Sequence, residues 1–294
     1  MRVLGNTGLV LFLAVFFGLF LPGFSNDTSG FITLYLIVAM TLSLREMSLS
    51  RKDVKQNIRP SLRAAVINYG LLSATIIISA YFLVPDRTYF AGFVIMAAVP
   101  PAIAVVPFTF LLKGDVKASL AGEVLCYLLA LLLAPLMTFL ILGSAVNFFE
   151  ITRLLLILII VPMAVSFPLK KIPDRFFAQN RPVINISLAL ITYSIIGLNQ
   201  GVIFSNFIFL LPLLAVLFIK SFVTGFGVYF GSLARGTKKE RAVSYSLFAS
   251  HKNGGMTAAF AIALLGPVAA LPAALEGIFE FAYIIIFQHI VGMK

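Results

Sequence analysis

AAVPPAIAVVPFTFLLKGD (97–115) and ASHKNGGMTAAFAIALLGP (249–267) are apolar segments interrupted by helix-breaking residues. Laying 111–114 (LLKG) on 263–266 (ALLG) brings Pro100-Pro101-Ala102 onto Lys252-Asn253-Gly254, an offset of 152 residues. Pro100, Pro101 and Pro107 remove three backbone donors and leave carbonyls without helical partners, while Asn253-Gly254-Gly255 does the equivalent with flexible backbone and one amide. Such gaps are costly in hydrocarbon unless they line a protein cavity. Interrupted segments in corresponding places of two halves are the signature of a secondary transporter, whose substrate and ion sites lie where the breaks meet.

Composition agrees with a membrane setting. With 61% hydrophobic and 11% charged residues over 294 positions, the chain cannot form the surface and core of a soluble domain. Ten apolar stretches near the length a bilayer requires run at about 7–23, 29–44, 60–84, 89–112, 116–142, 151–168, 182–199, 203–231, 242–265 and 268–291. Of the 22 Lys and Arg residues, 18 fall at the termini or in 45–63, 113–117, 170–181 and 235–241, and only Arg87 and Arg153 face the other side. The positive-inside rule then puts both termini in the cytoplasm. The net charge of +11 follows from this topology and needs no nucleic-acid surface to explain it.

The offset of 152 extends beyond the breaks: Ile67-Asn68 falls on Ile219-Lys220, Ala121-Gly122 on Ala273-Ala274, and with one insertion Glu123 meets Glu276. Five-span halves must insert in opposite orientations. The expected fold class is therefore all-α integral membrane: ten transmembrane helices in two inverted five-helix repeats, 1–146 and 147–294, with broken helices 4 and 9 crossed in a single transporter domain.

Lys220, Lys252, Glu123, Glu276 and Glu280 lie within predicted spans. At about 3 kcal/mol for a charge at the centre of a lipid-facing helix, five such groups must face protein or water, which makes them the first candidates for function. Glu276 and Glu280 share one helix face and repel unless one is protonated or a cation intervenes. His251 is a candidate relay, its side chain about 100° from that of Lys252 on a regular helix. Asn68, Tyr69, Thr109, Thr257 and Gln200 are candidate polar groups of a cavity. His289 reads as an interface residue near the cytoplasmic end of span 10. Cys126 is a lone, packed thiol, and Asn26-Asp27-Thr28 forms a glycosylation sequon in an outside loop. The chain has no HExxH, no GxSxG and no paired acidic metal motif, so no enzyme, metal or cofactor is expected.

On these breaks, and on REMSLSRKDVK after span 2, TFLLKGDVKASL between spans 4 and 5, Asn253 and PVAALPAAL, the chain resembles the bile acid:sodium symporter superfamily. The resemblance implies ten spans, two inverted repeats and crossed broken helices 4 and 9. It also marks departures. Val105-Val106 stand where sodium-coupled members place a Ser-Asn pair, Glu123 stands for a hydroxyl residue while Ser119 still matches, Phe248 stands for an acid, Lys252 for a glutamine, and Tyr69 or Asn68 for a span 3 glutamine. Most sodium ligands implied by the resemblance are thus missing.

The expected activity is transport of a small organic solute, anionic or zwitterionic, by a secondary active transporter or facilitator of the cell inner membrane. Coupling is to protons or to nothing, with Lys252 paired to Glu123 or Glu276 across the crossing in place of sodium. Glu280 disfavours steroid acids as cargo. The alternatives are a cation/proton antiporter-like exchanger, which also uses an acid and a lysine at crossed breaks, and a sodium-coupled symporter with displaced ion sites. An arsenite permease would want a span 4 cysteine, and Cys126 is in span 5. The partners implied are the solute and the lipid bilayer; the oligomeric state stays open, a monomer among the options.

Overall fold

A computed structural model describes residues 7–22, 28–46, 50–143, 146–177, 180–205 and 207–292, and every secondary-structure element among them is helical. The chain ends and Asn26-Asp27 of the sequon lie outside the described residues. The principal helices are α1 (Thr7–Phe20), α2 (Thr28–Glu46), α3 (51–83), α4 (Arg87–Ala98), α5 (Val105–Leu111), α6 (Val116–Leu142), α7 (148–169), α8 (Asn180–Leu198), α9 (211–234), α10 (Lys239–Phe248), α11 (Gly254–Leu265) and α12 (Leu271–Ile290).

Five continuous helices are long and apolar enough to cross a membrane: Lys52–Leu83, Val116–Leu142, Phe148–Leu169, Leu211–Ala234 and Pro267–Ile290. Gly30–Arg45, Arg87–Ala98, Pro182–Leu198 and Gly254–Leu265 are shorter apolar helices. The stretches expected as spans 4 and 9 are each two pieces, α4 with α5 and α10 with α11. A bilayer leaves no water for the backbone, so all-helical structure with satisfied ladders follows from composition.

The helix starts are written locally. Ser50 and Asp53 form a reciprocal capping box at the head of α3. Asp86, Asp115, Asn147 and Asn253 cap α4, α6, α7 and α11, each accepting from backbone N–H groups of the first turn. Pro107 corrects an expectation. It sits in the first turn of α5, where backbone N–H groups lack intrahelical partners anyway, so it does not break the helix. Pro100 and Pro101 do, within the irregular stretch 99–104.

α3 and α9 each contain a π segment, Val66–Leu72 and Ile219–Val223. They hold Asn68 and Lys220 respectively, the residues matched by the 152 offset. Widened turns of this kind are rare and favour functional sites.

The helices pack in two groups. In one, α8 lies against α1 and α2, and α2 against α7; in the other, α3 packs on α6, α4 and α9, α9 on α10 and α12, and α5 on α6 and α10. Each group draws elements from both sides of residue 146, so the two sequence halves are interleaved. α11 bridges the groups by touching α2 as well as α4 and α12. The strand of chain between α5 and α6 is tied to α10, with Asp115 N donating to Glu240 O at 3.0 Å and Arg241 Nε to Asp115 Oδ2 at 3.2 Å.

Candidate functional site

The two breaks touch. Asn253 N donates to Pro100 O at 2.9 Å, and Tyr127 of α6 joins both, accepting from Asn253 Nδ2 at 2.8 Å and donating to Pro101 O at 3.4 Å. Asn253 Oδ1 also accepts from Met256 N at 3.0 Å, so one amide closes the second break and starts α11.

Lys252 lies at this contact and is fully buried. Its Nζ is within hydrogen-bond distance of four neutral oxygens: Asn68 Oδ1 at 2.9 Å, Ser73 Oγ at 3.1 Å, Ala97 O at 2.9 Å and Val99 O at 3.0 Å. The Tyr69 ring covers it, 4.6 Å from Nζ to the centroid, an arrangement favourable to a cation. Pro101 explains the first of the two carbonyls, and the end of the helix at Val99 the second. In an unbroken helix Ala97 O would accept from the N–H of residue 101, and Pro101 has none.

The expected pairing of Lys252 with Glu123 or Glu276 is therefore overturned: among the described residues no carboxylate oxygen lies within ion-pair distance of its Nζ. Neutral oxygens satisfy the ammonium instead. Asn68 is fixed for this role, donating to Phe248 O at 2.9 Å and His251 O at 3.3 Å. Ser73 is absent from the expected set. Five residues after Asn68, it would point about 140° away on a regular helix; the intervening π segment brings its hydroxyl to 3.1 Å from Asn68 O.

The second charged cluster is Lys220 with Glu276 and Glu280. The ammonium pairs with Glu276 Oε1 and lies 3.0 Å from Glu280 Oε1, with side-chain exposures of 0% for Lys220, 1% for Glu276 and 13% for Glu280. The intervening cation called for by two carboxylates on one helix face is thus Lys220. Glu280 Oε1 also accepts from Lys252 N at 3.1 Å, which links this cluster to the break through the backbone. Gly254 and Gly255 form the first turn of α11 and do not lie in the gap. Their lack of a side chain serves close approach: a Cβ at Gly254 would lie 3.0 Å from Glu276 Oε2, and one at Gly255 would lie 2.8 Å from Leu36 Cδ1.

Glu123 is brought to neither lysine. It is 2% exposed, and both carboxylate oxygens lack hydrogen-bond partners among the described residues. The Val106 backbone N–H, at the start of α5, faces this carboxyl at the edge of hydrogen-bond range. One turn earlier, the hydroxyls of Ser119 and Thr109 are 3.0 Å apart. His251 is buried with Nδ1 2.8 Å from Ser250 Oγ, Nε2 without a partner among the described residues, and its ring against Phe108 and Tyr283. Tyr69 OH donates to Cys126 O at 3.0 Å.

Two weaker candidates leave the site. Gln200 Nε2 donates to Gly18 O and Leu21 O, holding the end of α1. Thr257 donates to Asn253 O inside α11.

The profile of the sodium bile acid symporter family matches residues 31–206, more than half of the chain. The chain belongs to that family. It is a transporter family, and the apolar helices agree that this member is a multi-pass membrane protein. No curated protein matches the chain. The matched part of this family member contains Asn68, the first break and Glu123; Lys220, Lys252 and Glu276 lie beyond it.

Proposed function

We propose that the protein is a secondary transporter or facilitator of a small organic solute in which the Lys252 ammonium occupies the place of a coupling sodium, so that transport is independent of sodium. The observation that carries this reading is the ring of four neutral oxygens within 2.9–3.1 Å of Nζ. Neutral side-chain and carbonyl oxygens freed by a helix break are what a bound hard cation would use, and a tethered cation takes them without dissociating.

Ten spans in two inverted repeats, 1–146 and 147–294, complete the reading. Their support is the contact between the breaks and the matching π segments around Asn68 and Lys220. The distribution of Lys and Arg favours cytoplasmic termini, and the helical spans favour an inner membrane over the barrel-bearing outer one. As cargo we favour a zwitterion over a simple anion. Lys252 is taken by neutral oxygens and Lys220 by two carboxylates, and the most exposed of these charged groups is Glu280. The exchanger alternative called for a lysine–acid pair at the crossing; with Lys252 held by neutral oxygens, it has less to stand on.

The experiment needs no known solute. Purified protein is melted in sodium and in potassium at matched ionic strength. A ligand that binds only the folded state raises stability by mass action, so wild type should melt alike in both salts. Sodium-specific stabilisation would restore the symporter with displaced ion sites.

A further inference from the structure

Glu123 stands apart from the other buried charges. Glu276 and Glu280 share Lys220, whereas Glu123 is 2% exposed with no hydrogen-bond donor on either oxygen among the described residues. The groups around it offer no counter-charge. On α6 the titratable neighbours are Cys126 and Tyr127. α3 brings Tyr69, whose hydroxyl is spent on Cys126 O, and Arg63, which is exposed beside the Ala64 that meets Gly122. The second break brings Lys252, enclosed by its own four oxygens. α10 brings Tyr245, one turn before Phe248, whose ring lies against Gly122. α5 has no titratable residue, and Arg87 and Tyr89 of α4 and Glu150 and Arg153 of α7 lie at the far ends of their helices.

With at most the Val106 backbone N–H at the edge of reach and no counter-charge among the described residues, an ionised carboxylate here is expensive to bury, and the neutral acid is far cheaper. Its surroundings adjoin both breaks: α5 begins beyond the first, and Phe248, whose ring lies against Gly122, ends α10 before the second. We propose that Glu123 is a proton-binding site of the transport cycle, occupied in this conformation and emptied when α5 and the end of α10 separate from α6 and admit water. The step is a simple dissociation, in which the carboxylic O–H bond breaks, its electron pair stays on the carboxylate and the proton passes to water. Proton occupancy stands on the geometry alone; the role in a cycle rests on the transport reading above.

Infrared spectroscopy of the full-length protein in lipid vesicles tests both parts. At neutral pH the wild type should show the carbonyl stretch of a protonated carboxyl, shifted in deuterated water. The band should be lost in Glu123→Gln and retained in Glu276→Gln and Glu280→Gln. Because Glu123→Gln keeps the shape and replaces one neutral group by another, it should melt as wild type does, so loss of the band is not loss of the fold. Absence of the band in wild type, or its persistence in Glu123→Gln, overturns the site. In alkaline buffer the band should disappear reversibly; a band that survives means that water never reaches the group and overturns its part in a cycle. Failure of the sodium-independence reading would show instead as sodium-specific stabilisation and would leave this band unchanged.

Discussion

Asn68 and Lys220 occupy matching places, 152 residues apart, each within a π segment of a long helix, yet their partners differ in kind. Asn68 is neutral and turns across to the break of the other half, where it helps hold Lys252. Lys220 is cationic and turns to Glu276 and Glu280 on α12. The same contrast recurs on α6 and α12: Glu276 has a cation, and Glu123, matched to it, has none among the described residues. Around Lys220 the charges form an ion cluster, around Lys252 the oxygens are neutral, and Glu123 joins neither. At positions matched by the 152 offset, the side chains thus decide which charges are met by charges and which by neutral oxygens.

The largest expected effect separates the two lysines. Lys220→Met leaves Glu276 and Glu280 buried without their counter-charge, and breaking such a pair costs about 3–5 kcal/mol. A melting curve should fall accordingly, and Lys220→Met combined with Glu276→Gln should recover most of the loss by removing one stranded charge. Wild-type melting of the single variant would mean that the cluster is not an ion cluster in solution, and the contrast between the halves would fail.

Next in size is Lys252→Ala. Charge-assisted hydrogen bonds contribute about 1.5–3 kcal/mol each at most, and the cage can readmit water or an ion, so the loss should be smaller than for Lys220→Met. The sharper expectation concerns salt: sodium should stabilise Lys252→Ala and leave wild type unchanged. A variant indifferent to sodium would show that the four oxygens hold a lysine but cannot hold an ion.

These two sites were unequally legible in the sequence. The first break was readable because proline acts on its own backbone, the second because it lies just before the glycines that pointed to it, and Glu276 and Glu280 because four residues make one face of a helix. Lys252 was readable as a buried cation, but its partners were not. Two of the four are backbone carbonyls, which every residue has; Ala97 O is freed because Pro101 lacks an N–H, and Val99 O because the chain leaves the helix there. Ser73 was hidden by a π segment that shifts the helical period. The lone state of Glu123 was invisible for the opposite reason: a pattern shows which charges are present, and only packing shows which of them go unmet.

The smallest effect tests whether the glycines of α11 belong to the ion cluster or to ordinary packing. Overpacking a well-filled interior costs about 1–3 kcal/mol. At Gly255 the added methyl of alanine meets the end of Leu36, a flexible side chain on α2, so the cost should lie at the low end. At Gly254 it meets Glu276 Oε2, which is held through Lys220 and cannot swing aside without disturbing the pair. Gly254→Ala should therefore cost more than Gly255→Ala, although its nearest contact is the looser of the two. In a Glu276→Asp background, where the carboxylate is one methylene shorter, Gly254→Ala should cost less than in wild type, as read by thermal melting of all four combinations. Equal costs in both backgrounds would assign the glycine to helix packing alone and detach α11 from the cluster that distinguishes the second half.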